Sequence, residues 1–247
     1  MNADASDDRA ALRALLDGLL VGAAQPMESV GEWAARLTGD HPTPVASRFV
    51  NQLGDEWFDA LPPDDFCARI RDEARARIAA WHPGWPHLWA HVLRVTGVAV
   101  ALAEDAGVDP PLAYVMGMCH DVAKLDETRD GVPHEETGAA FAGRVLRGHL
   151  PPAQIESIQA AILKTGGDAL ARILSDADKL DKIGAAGILR RVSVETDRRW
   201  LPLALARVRD EARWFPPMRF DLSRDLAQQK QSFLAWFLPL AEQAIGD

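Results

Sequence analysis

Apolar residues recur along this chain at spacings of three and four, which is the spacing of one face of an α-helix. Nowhere does a β-branched run bounded by hairpin turns interrupt the pattern. We therefore expect an all-α protein, and a hydrophobic content of 48% is ample for a real core. One early stripe consists of Leu12, Leu15, Leu16, Leu19 and Leu20.

Breaks between the stripes divide the chain into predicted helices. Ser29 and Glu32 have the spacing of a capping box, and the prolines and glycines of TGDHPTP, LPPDD and WHPGWP interrupt helices. We expect a helical extension at 1–65, a helical core at 66–215 and a C-terminal helix at 216–247. The main predicted helices lie at about 87–105, 110–122, 134–148, 152–164, 169–191 and 222–245.

Charge and cysteine content exclude several classes of protein. The chain has 27 Lys and Arg against 36 Asp and Glu, so its formal charge of −9 argues against binding long nucleic acid or an anionic membrane. No apolar run reaches the roughly 18 residues that span a bilayer, and the acidic N-terminus does not resemble a secretory signal. We expect a cytoplasmic protein in which Cys67 and Cys119 are small buried residues rather than a disulfide framework.

The segment MCHDVAKLD carries two ionisable groups, His120 and Asp121, directly after the apolar run LAYVMGM. A buried carboxylate costs several kcal/mol unless it is paired. The doublet therefore either marks the point where the helix reaches solvent or has a cation as its partner.

Two other predicted helices carry matching groups. His91 falls in line with Val95 and Val98 and so faces the core, whereas Asp178 lies beside the apolar stripe of its own helix. Together with the doublet they supply two imidazoles and two carboxylates, a donor set that suits Mn²⁺, Fe²⁺, Zn²⁺ or Mg²⁺.

HVLRV, CHDVAK and SDADKLD, in this order, resemble the HD-domain superfamily of metal-dependent phosphohydrolases over roughly residues 80–192. The resemblance implies an all-helical HD core and does not extend to either flank. From the helical periodicity of the flanks we expect additional N- and C-terminal helices packed on this core, although the first 65 or so residues could instead form an independent small domain. The resemblance also implies one divalent ion (Mn, Fe, Zn, Mg, Co or Ni), held by His91, His120, Asp121 and Asp178. Asp176 is the competing choice for the last ligand, but Asp178 has the A-D-x-L context of related families.

The activity implied by the resemblance is hydrolysis of a phosphoester or phosphoanhydride by a metal-activated water. The expected substrate is a nucleotide or a similar small phosphorylated metabolite. Asp121 is expected to orient or deprotonate the water. Lys124 is expected to take part in catalysis with Asp121 or to bind a substrate phosphate, and the alternative is a solvated lysine near a helix C-terminus. Further substrate-binding candidates are His87, His134 and Asp181, although His134 equally fits the start of a helix and Asp181 an ion pair outside the pocket.

Two departures from the family pattern bear on these expectations. Thr165 stands where many relatives have a histidine, so we expect one metal ion rather than two. Ala90 stands where relatives often carry an acidic residue just before the first metal-binding histidine, so we expect one contact to a ligand or to the substrate to be missing. A non-catalytic HD module that binds metal or nucleotide for regulation or interaction is the alternative function. An oxygenase with two irons is disfavoured because its second set of histidines is absent. The aromatic segment FLAWFLPL fits either the core or the surface of a homodimer.

Overall fold

The structure is a computed structural model that describes residues 10–18, 29–38, 43–80, 85–194 and 201–246. Over these ranges the chain is helical and contains no β-strand, which confirms the predicted all-α class. No helix in the described ranges combines the length and the apolar content needed to cross a membrane. The helices are α1 (residues 10–18), α2 (Val30–Thr38), α3 (Pro44–Glu56), α4 (Asp65–Ala79), α5 (Trp85–Asp105), α6 (Pro110–Cys119), α7 (Glu127–Asp130), α8 (His134–Leu146), α9 (Pro152–Ile162), α10 (Ala169–Leu180), α11 (Gly184–Val194), α12 (Leu201–Arg213) and α13 (Asp221–Ile245).

The described residues divide into two compact units. One unit consists of the described residues within Met1–Trp57, Leu180–Pro217 and Arg224–Asp247, and the other of those within Phe58–Lys179 and Met218–Ser223. The second unit therefore holds α4 to α9 and nearly all of α10. The predicted division into an extension at 1–65, a core at 66–215 and a C-terminal helix at 216–247 stays a prediction.

Helix α6 lies at the centre of the second unit, where it packs against α4, α5, α8 and α9. Its contact with α5 is close because it involves glycine: a Cβ on Gly117 would lie 2.6 Å from Oγ1 of Thr96. On the other helix, a Cβ on Gly97 would lie 1.9 Å from the carbonyl oxygen of Phe58. These two glycines let buried backbone segments approach one another without a side chain between them.

The helix predicted at 169–191 is interrupted, so the prediction of one continuous helix was wrong. α10 ends at Leu180, and α11 begins at Gly184, which has a φ of 76° in the left-handed region. The carboxylate of Glu56 accepts the backbone N–H groups of Ala185 and Ala186, both at 3.1 Å, and a Cβ on Gly184 would lie 2.0 Å from it. A distant side chain therefore caps α11 and fixes the break.

Glu56 is itself paired within the core of the first unit. Nζ of Lys230, on α13, lies 2.9 Å from Oε2 of Glu56, and the side chains are 3% and 2% exposed. Aromatic rings from the FLAWFLPL segment also belong to this core, with the ring centroids of Phe233 and Phe237 at 5.7 and 5.4 Å from that of Phe49. Phe233, Leu234, Phe237 and Leu238 of this segment are buried, which agrees with the core interpretation for that half of it.

Other local predictions can be compared with the structure directly. The capping box is confirmed: Ser29 Oγ accepts from the backbone of Glu32, and Glu32 Oε2 accepts from the backbone of Ser29. Leu12, Leu15 and Leu16 are buried, whereas the predicted stripe's last two residues, 19 and 20, lie outside the described residues. Helix α12 was not predicted.

Candidate metal centre

His91 and His120 face each other across the contact between α5 and α6. Both are buried, and the distance between their Nε2 atoms is 3.4 Å. Their rings meet edge to face, with centroids 5.3 Å apart. The close approach of the two helices at Gly117 places His120, three residues later, within reach of His91.

The hydrogen bonding of His120 leaves one ring nitrogen available as a ligand. Its Nδ1 lies 2.7 Å from the carbonyl oxygen of Gly117, so Nδ1 carries the proton and donates it. Burial lowers the pKa of His120, which favours the neutral imidazole. The Nε2 lone pair therefore points toward His91 in the form that binds metal ions.

Asp121 completes the cluster although it does not lie on α6. The helix ends at Cys119, three residues before the predicted end, and tight turns follow in which Lys124 N–H donates to the carbonyl of Asp121 at 3.0 Å. Oδ2 of Asp121 lies 3.4 Å from Nε2 of His91 and 3.9 Å from Nε2 of His120. Burial raises the pKa of Asp121, but His120 together with hydrogen bonds from His134 and His91 outweighs burial and holds the pKa well below its usual range. Asp121 is thus ionised while buried.

The two aspartates that compete for the fourth position have different environments. Oδ1 of Asp178 lies 3.6 Å from Nε2 of His91, and its side chain is 26% exposed. Asp176 is fully buried and accepts hydrogen bonds from the backbone N–H of Arg219 at 2.7 Å and from the hydroxyl of Ser223 at 2.8 Å. The carboxylate beside the histidines is therefore Asp178, whereas Asp176 binds the 218–223 segment.

The spacing of these donor atoms suits a divalent ion. Within the described part of the chain, one ligand atom each from His91, His120 and Asp121 all lie within 4.8 Å of one another, and Asp178 adjoins this set through His91. Ligands at about 2.0 to 2.2 Å from an ion stand roughly 3 to 3.5 Å apart when adjacent and about 4.2 Å apart when opposite. Two of the observed separations, both 3.4 Å, match adjacent ligands, and the third, 3.9 Å, lies between the adjacent and the opposite distance. A neutral imidazole and an ionised carboxylate also provide the required donor chemistry.

Helix α8 brings a further histidine to the cluster. His134, its first residue, is buried, and its Nε2 lies 3.2 Å from Oδ1 of Asp121. One turn later, a Cβ on Gly138 would lie 3.0 Å from the carbonyl oxygen of His120. The glycine in H-x-x-x-G therefore lets α8 approach the backbone of the doublet, and this approach places His134 against Asp121.

Lys124 and Glu127 surround His134. The ammonium nitrogen of Lys124 lies 2.8 Å from Nε2 of His134, and Oε2 of Glu127 accepts from Nδ1 at 2.7 Å. Partial burial lowers the pKa of His134, but the hydrogen bond to Asp121 and its charge outweigh burial and raise the pKa. When the His134 ring is protonated, its Nε2–H donates to Asp121. When the ring is neutral with the proton on Nδ1, its Nε2 accepts a hydrogen bond from the ammonium group of Lys124. Lys124 is half-buried and contacts His134 rather than pointing into solvent.

The remaining predicted site residues are not members of the His-His-Asp set. His87 is half-buried one turn before His91, and burial lowers its pKa. Asp181 is buried just after α10 and belongs to the other compact unit. Thr165 is exposed and its hydroxyl donates to the carbonyl of Ala160, at the end of α9. The roles assigned to these side chains remain predictions.

Two charged residues near the cluster were not among the predicted site residues. Glu127 orients His134, and Lys164, the residue before Thr165, reaches Glu135 with its ammonium group 2.6 Å from Oε1. Glu135 in turn lies 3.2 Å from Nδ1 of His134. In sequence, only the position of Lys164 in AILKTGG, next to a singled-out threonine, could have indicated it.

Two imidazoles and two carboxylates from separate elements of an all-helical unit are a donor set that suits a divalent metal ion. Residues 88–183 match the family model of the HD domain. The chain therefore contains an HD domain, as its motifs indicated.

Solved structures show the same fold. A predicted HD superfamily hydrolase from an uncultured Thermotogales bacterium is 25% identical, with a TM-score of 0.55 over 71% of this chain and 92% of that one. YpgQ from Bacillus subtilis in complex with ADP is 20% identical, with a TM-score of 0.55 over 72% of this chain and 94% of its own. Among curated proteins, no sequence matches the chain.

Proposed function

We propose that the protein is a metal-dependent phosphohydrolase that hydrolyses a phosphoester or phosphoanhydride of a nucleotide or similar small phosphorylated metabolite. The observation that carries this proposal is the convergence of His91, His120 and Asp121 within 4.8 Å, with Asp178 beside His91. The likeness to a predicted HD superfamily hydrolase supports the same reaction class.

In this proposal His91, His120, Asp121 and Asp178 hold one divalent ion: Mn²⁺, Fe²⁺, Zn²⁺, Mg²⁺, Co²⁺ or Ni²⁺. Such an ion lowers the pKa of water and polarises a phosphoryl oxygen. Its ligands are prepared in the protein, because Gly117 fixes the tautomer of His120 and nearby imidazoles keep Asp121 ionised.

Asp121 is also the proposed catalytic residue. Its two oxygens have separate neighbours: Oδ2 faces His91, whereas Oδ1 faces His134 at 3.2 Å. A carboxylate held in this way can accept a hydrogen bond from the attacking water and orient it toward phosphorus. His134 is proposed to fix the position of Asp121, which its Nε2 contacts at 3.2 Å, and to contact the substrate.

Lys124 is proposed to bind a phosphate oxygen and to stabilise the charge that develops there. Its ammonium group already lies beside His134, 2.8 Å from Nε2, and its side chain is half-buried. His87 and Asp181 are proposed as further substrate contacts. The net charge of the chain is −9, so long nucleic acid is not expected as a substrate.

Nucleotides are the first substrates to examine, because the structure of YpgQ, which has the same fold, is a complex with ADP. A cytoplasmic location agrees with such a substrate and stays a prediction, as does a homodimer.

The test is metal analysis of the purified full-length protein, followed by a screen of phosphate release from nucleotides with Mn²⁺, Mg²⁺ and Co²⁺. We expect Asp121→Ala to lower phosphate release by at least about 100-fold while helical circular dichroism is retained. Asp72→Ala, which removes an exposed carboxylate from α4, is the matched control and should leave release unchanged.

Retained turnover in Asp121→Ala would remove the catalytic assignment. Metal and nucleotide binding without phosphate release would favour the non-catalytic HD module, and product formation that requires oxygen would favour an oxygenase.

A further inference from the structure

Lys164 has a backbone conformation that its side chain does not favour. Among the described residues other than glycine, it alone has a positive φ, at 60°. It follows the last turn of α9, where its N–H donates to Ala161 and the N–H of Thr165 donates to Ala160. This is the Schellman arrangement, in which the left-handed position is usually glycine because a Cβ there is unfavourable.

The ion pair of Lys164 is a weak reason to keep a lysine at this position. Its ammonium group lies 2.6 Å from Oε1 of Glu135, but the Lys164 side chain is 68% exposed. Exposed ion pairs contribute little to stability because solvent screens the charges and two long side chains lose freedom. Glycine at this position would remove the unfavourable backbone conformation and would lose only a weak ion pair. An interaction of the lysine side chain with a ligand therefore explains its presence better than the ion pair does.

Lys164 is linked to the metal centre by a chain of polar contacts. Glu135, its partner, lies 3.2 Å from Nδ1 of His134, and Nε2 of His134 lies 3.2 Å from Oδ1 of Asp121. Partial burial lowers the pKa of Lys164, but Glu135, and after it the charges of Asp178 and Asp121, raise it above the usual value. The ammonium group is therefore charged and within electrostatic range of both carboxylates of the centre.

A second lysine borders the same region. Nζ of Lys124 lies 2.8 Å from Nε2 of His134, whereas Nζ of Lys164 contacts Glu135, the next residue along the chain. Two lysine ammonium groups therefore lie beside the neighbouring residues His134 and Glu135. The chain has only five lysines, and two of them are placed here. Two ammonium groups beside a hydrolytic centre suit an anion with more than one charged group.

We propose that Lys164 is a specificity-determining residue that binds a second, non-reacting phosphate, so that the site selects a nucleoside diphosphate or triphosphate over a monophosphate. The inference rests on the proposed function for the position of the reacting phosphate, which Lys124 contacts. Lys164 has a flexible four-carbon stem and an exposed ammonium group, so it can exchange Glu135 for a phosphate oxygen without a change in the backbone.

The test measures binding of ADP and AMP to the full-length protein by isothermal titration calorimetry, with Ca²⁺ in place of Mn²⁺ to prevent turnover during the titration. We expect wild-type protein to bind ADP more tightly than AMP. Lys164→Gln should weaken ADP about tenfold, the loss of one charge-assisted contact, and change AMP less than about twofold. Lys164→Arg should keep most of the ADP affinity. Arg144→Gln, which removes an exposed charge from α8, is the control and should change neither affinity.

Lys164→Gly separates a ligand role from a structural role. Because glycine is favoured at this φ, the variant should melt about 2 to 4 °C higher than wild type, yet it should lose ADP affinity to the same extent as Lys164→Gln. A lower melting temperature with unchanged ADP binding would show that the lysine is structural and would overturn the proposal.

Equal weakening of ADP and AMP, or wild-type protein that does not prefer ADP, would also overturn it. The phosphate-release screen is judged separately. A protein that releases no phosphate but loses ADP binding in Lys164→Gln would refute hydrolysis and retain the assigned role of Lys164.

Discussion

Asp176 and Asp178 lie two residues apart on α10, and their substitution should have opposite effects. Asp176 is fully buried and accepts from the backbone and guanidinium of Arg219, at 2.7 and 2.9 Å, and from Ser223 at 2.8 Å. Hydrogen bonds to a charged acceptor contribute about 1.5 to 3 kcal/mol each, but the Arg219 side chain is 42% exposed, so its ion pair contributes less.

We expect Asp176→Asn to lower the free energy of unfolding by about 3 kcal/mol, because the amide keeps only one acceptor for these donors. For a chain of this length the melting temperature should fall by about 6 to 12 °C. Affinity for Mn²⁺ should fall much less than in Asp178→Asn, since Asp176 does not face the cluster and the amide keeps part of the hydrogen bonding to the 218–223 segment that orients α10. Asp178→Asn should do the reverse, with stability within about 1 kcal/mol of wild type and Mn²⁺ affinity reduced by more than about 100-fold.

Both variants are compared with wild type by circular dichroism melts of the metal-free protein and by calorimetric titration with Mn²⁺. Each variant is the isosteric control for the other, because both remove one carboxylate charge from the same helix. If Asp176→Asn abolishes Mn²⁺ binding while Asp178→Asn retains it, the ligand assignment is reversed. Equal losses of stability would refute the separation of roles.

Two further variants, each with a control, test a buried ion pair in the first unit and a close helix contact beside the candidate site. Lys230→Met leaves Glu56 buried without its cation and should lower the free energy of unfolding in urea by about 3 kcal/mol. Its control, Arg209→Met, breaks a more exposed ion pair and should lower it by less than about 1 kcal/mol, so similar losses would contradict the argument. Gly138→Ala should destabilise the protein by about 1 to 2 kcal/mol and weaken Mn²⁺ binding, because crowding of backbone carbonyls exceeds the gain of about 1 kcal/mol in helix propensity. Gly143→Ala, which meets only a flexible glutamine side chain, is its control, and equal stability of the two would refute the packing argument.

Sequence periodicity is sufficient to predict that His91 faces the core, because its inward position follows from the spacing of Val95 and Val98 on the same helix. Periodicity does not decide the position of His120, which follows an apolar run and could equally mark the point where the helix reaches solvent. Spacing does not show that α6 stops at Cys119, so that Asp121 occupies a turn. That ending depends on how the following segment folds back, which a window of local sequence does not contain.

The break between α10 and α11 illustrates the same limit. The apolar stripe continues across Leu180 and Gly184, so periodicity predicts one helix. The break is stabilised by Glu56, 129 residues earlier in the chain than its hydrogen-bond donor Ala185. Such a cap depends on tertiary contact, and no local propensity indicates it. The role of Lys164 is hidden in the sequence for a related reason, since glycine rather than lysine is the usual sign of a left-handed helix end.

The choice between Asp176 and Asp178 shows how a distant segment can decide which residue reaches a metal centre. Side chains two positions apart on an α-helix point in directions that differ by about 200°. Only one of Asp176 and Asp178 can therefore face the histidines. Rotation of α10 about its axis would exchange them. The 218–223 segment binds Asp176 through Arg219 and Ser223. These contacts hold one face of α10 and thereby direct Asp178 toward His91, so the identity of the proposed fourth ligand depends on residues more than forty positions away.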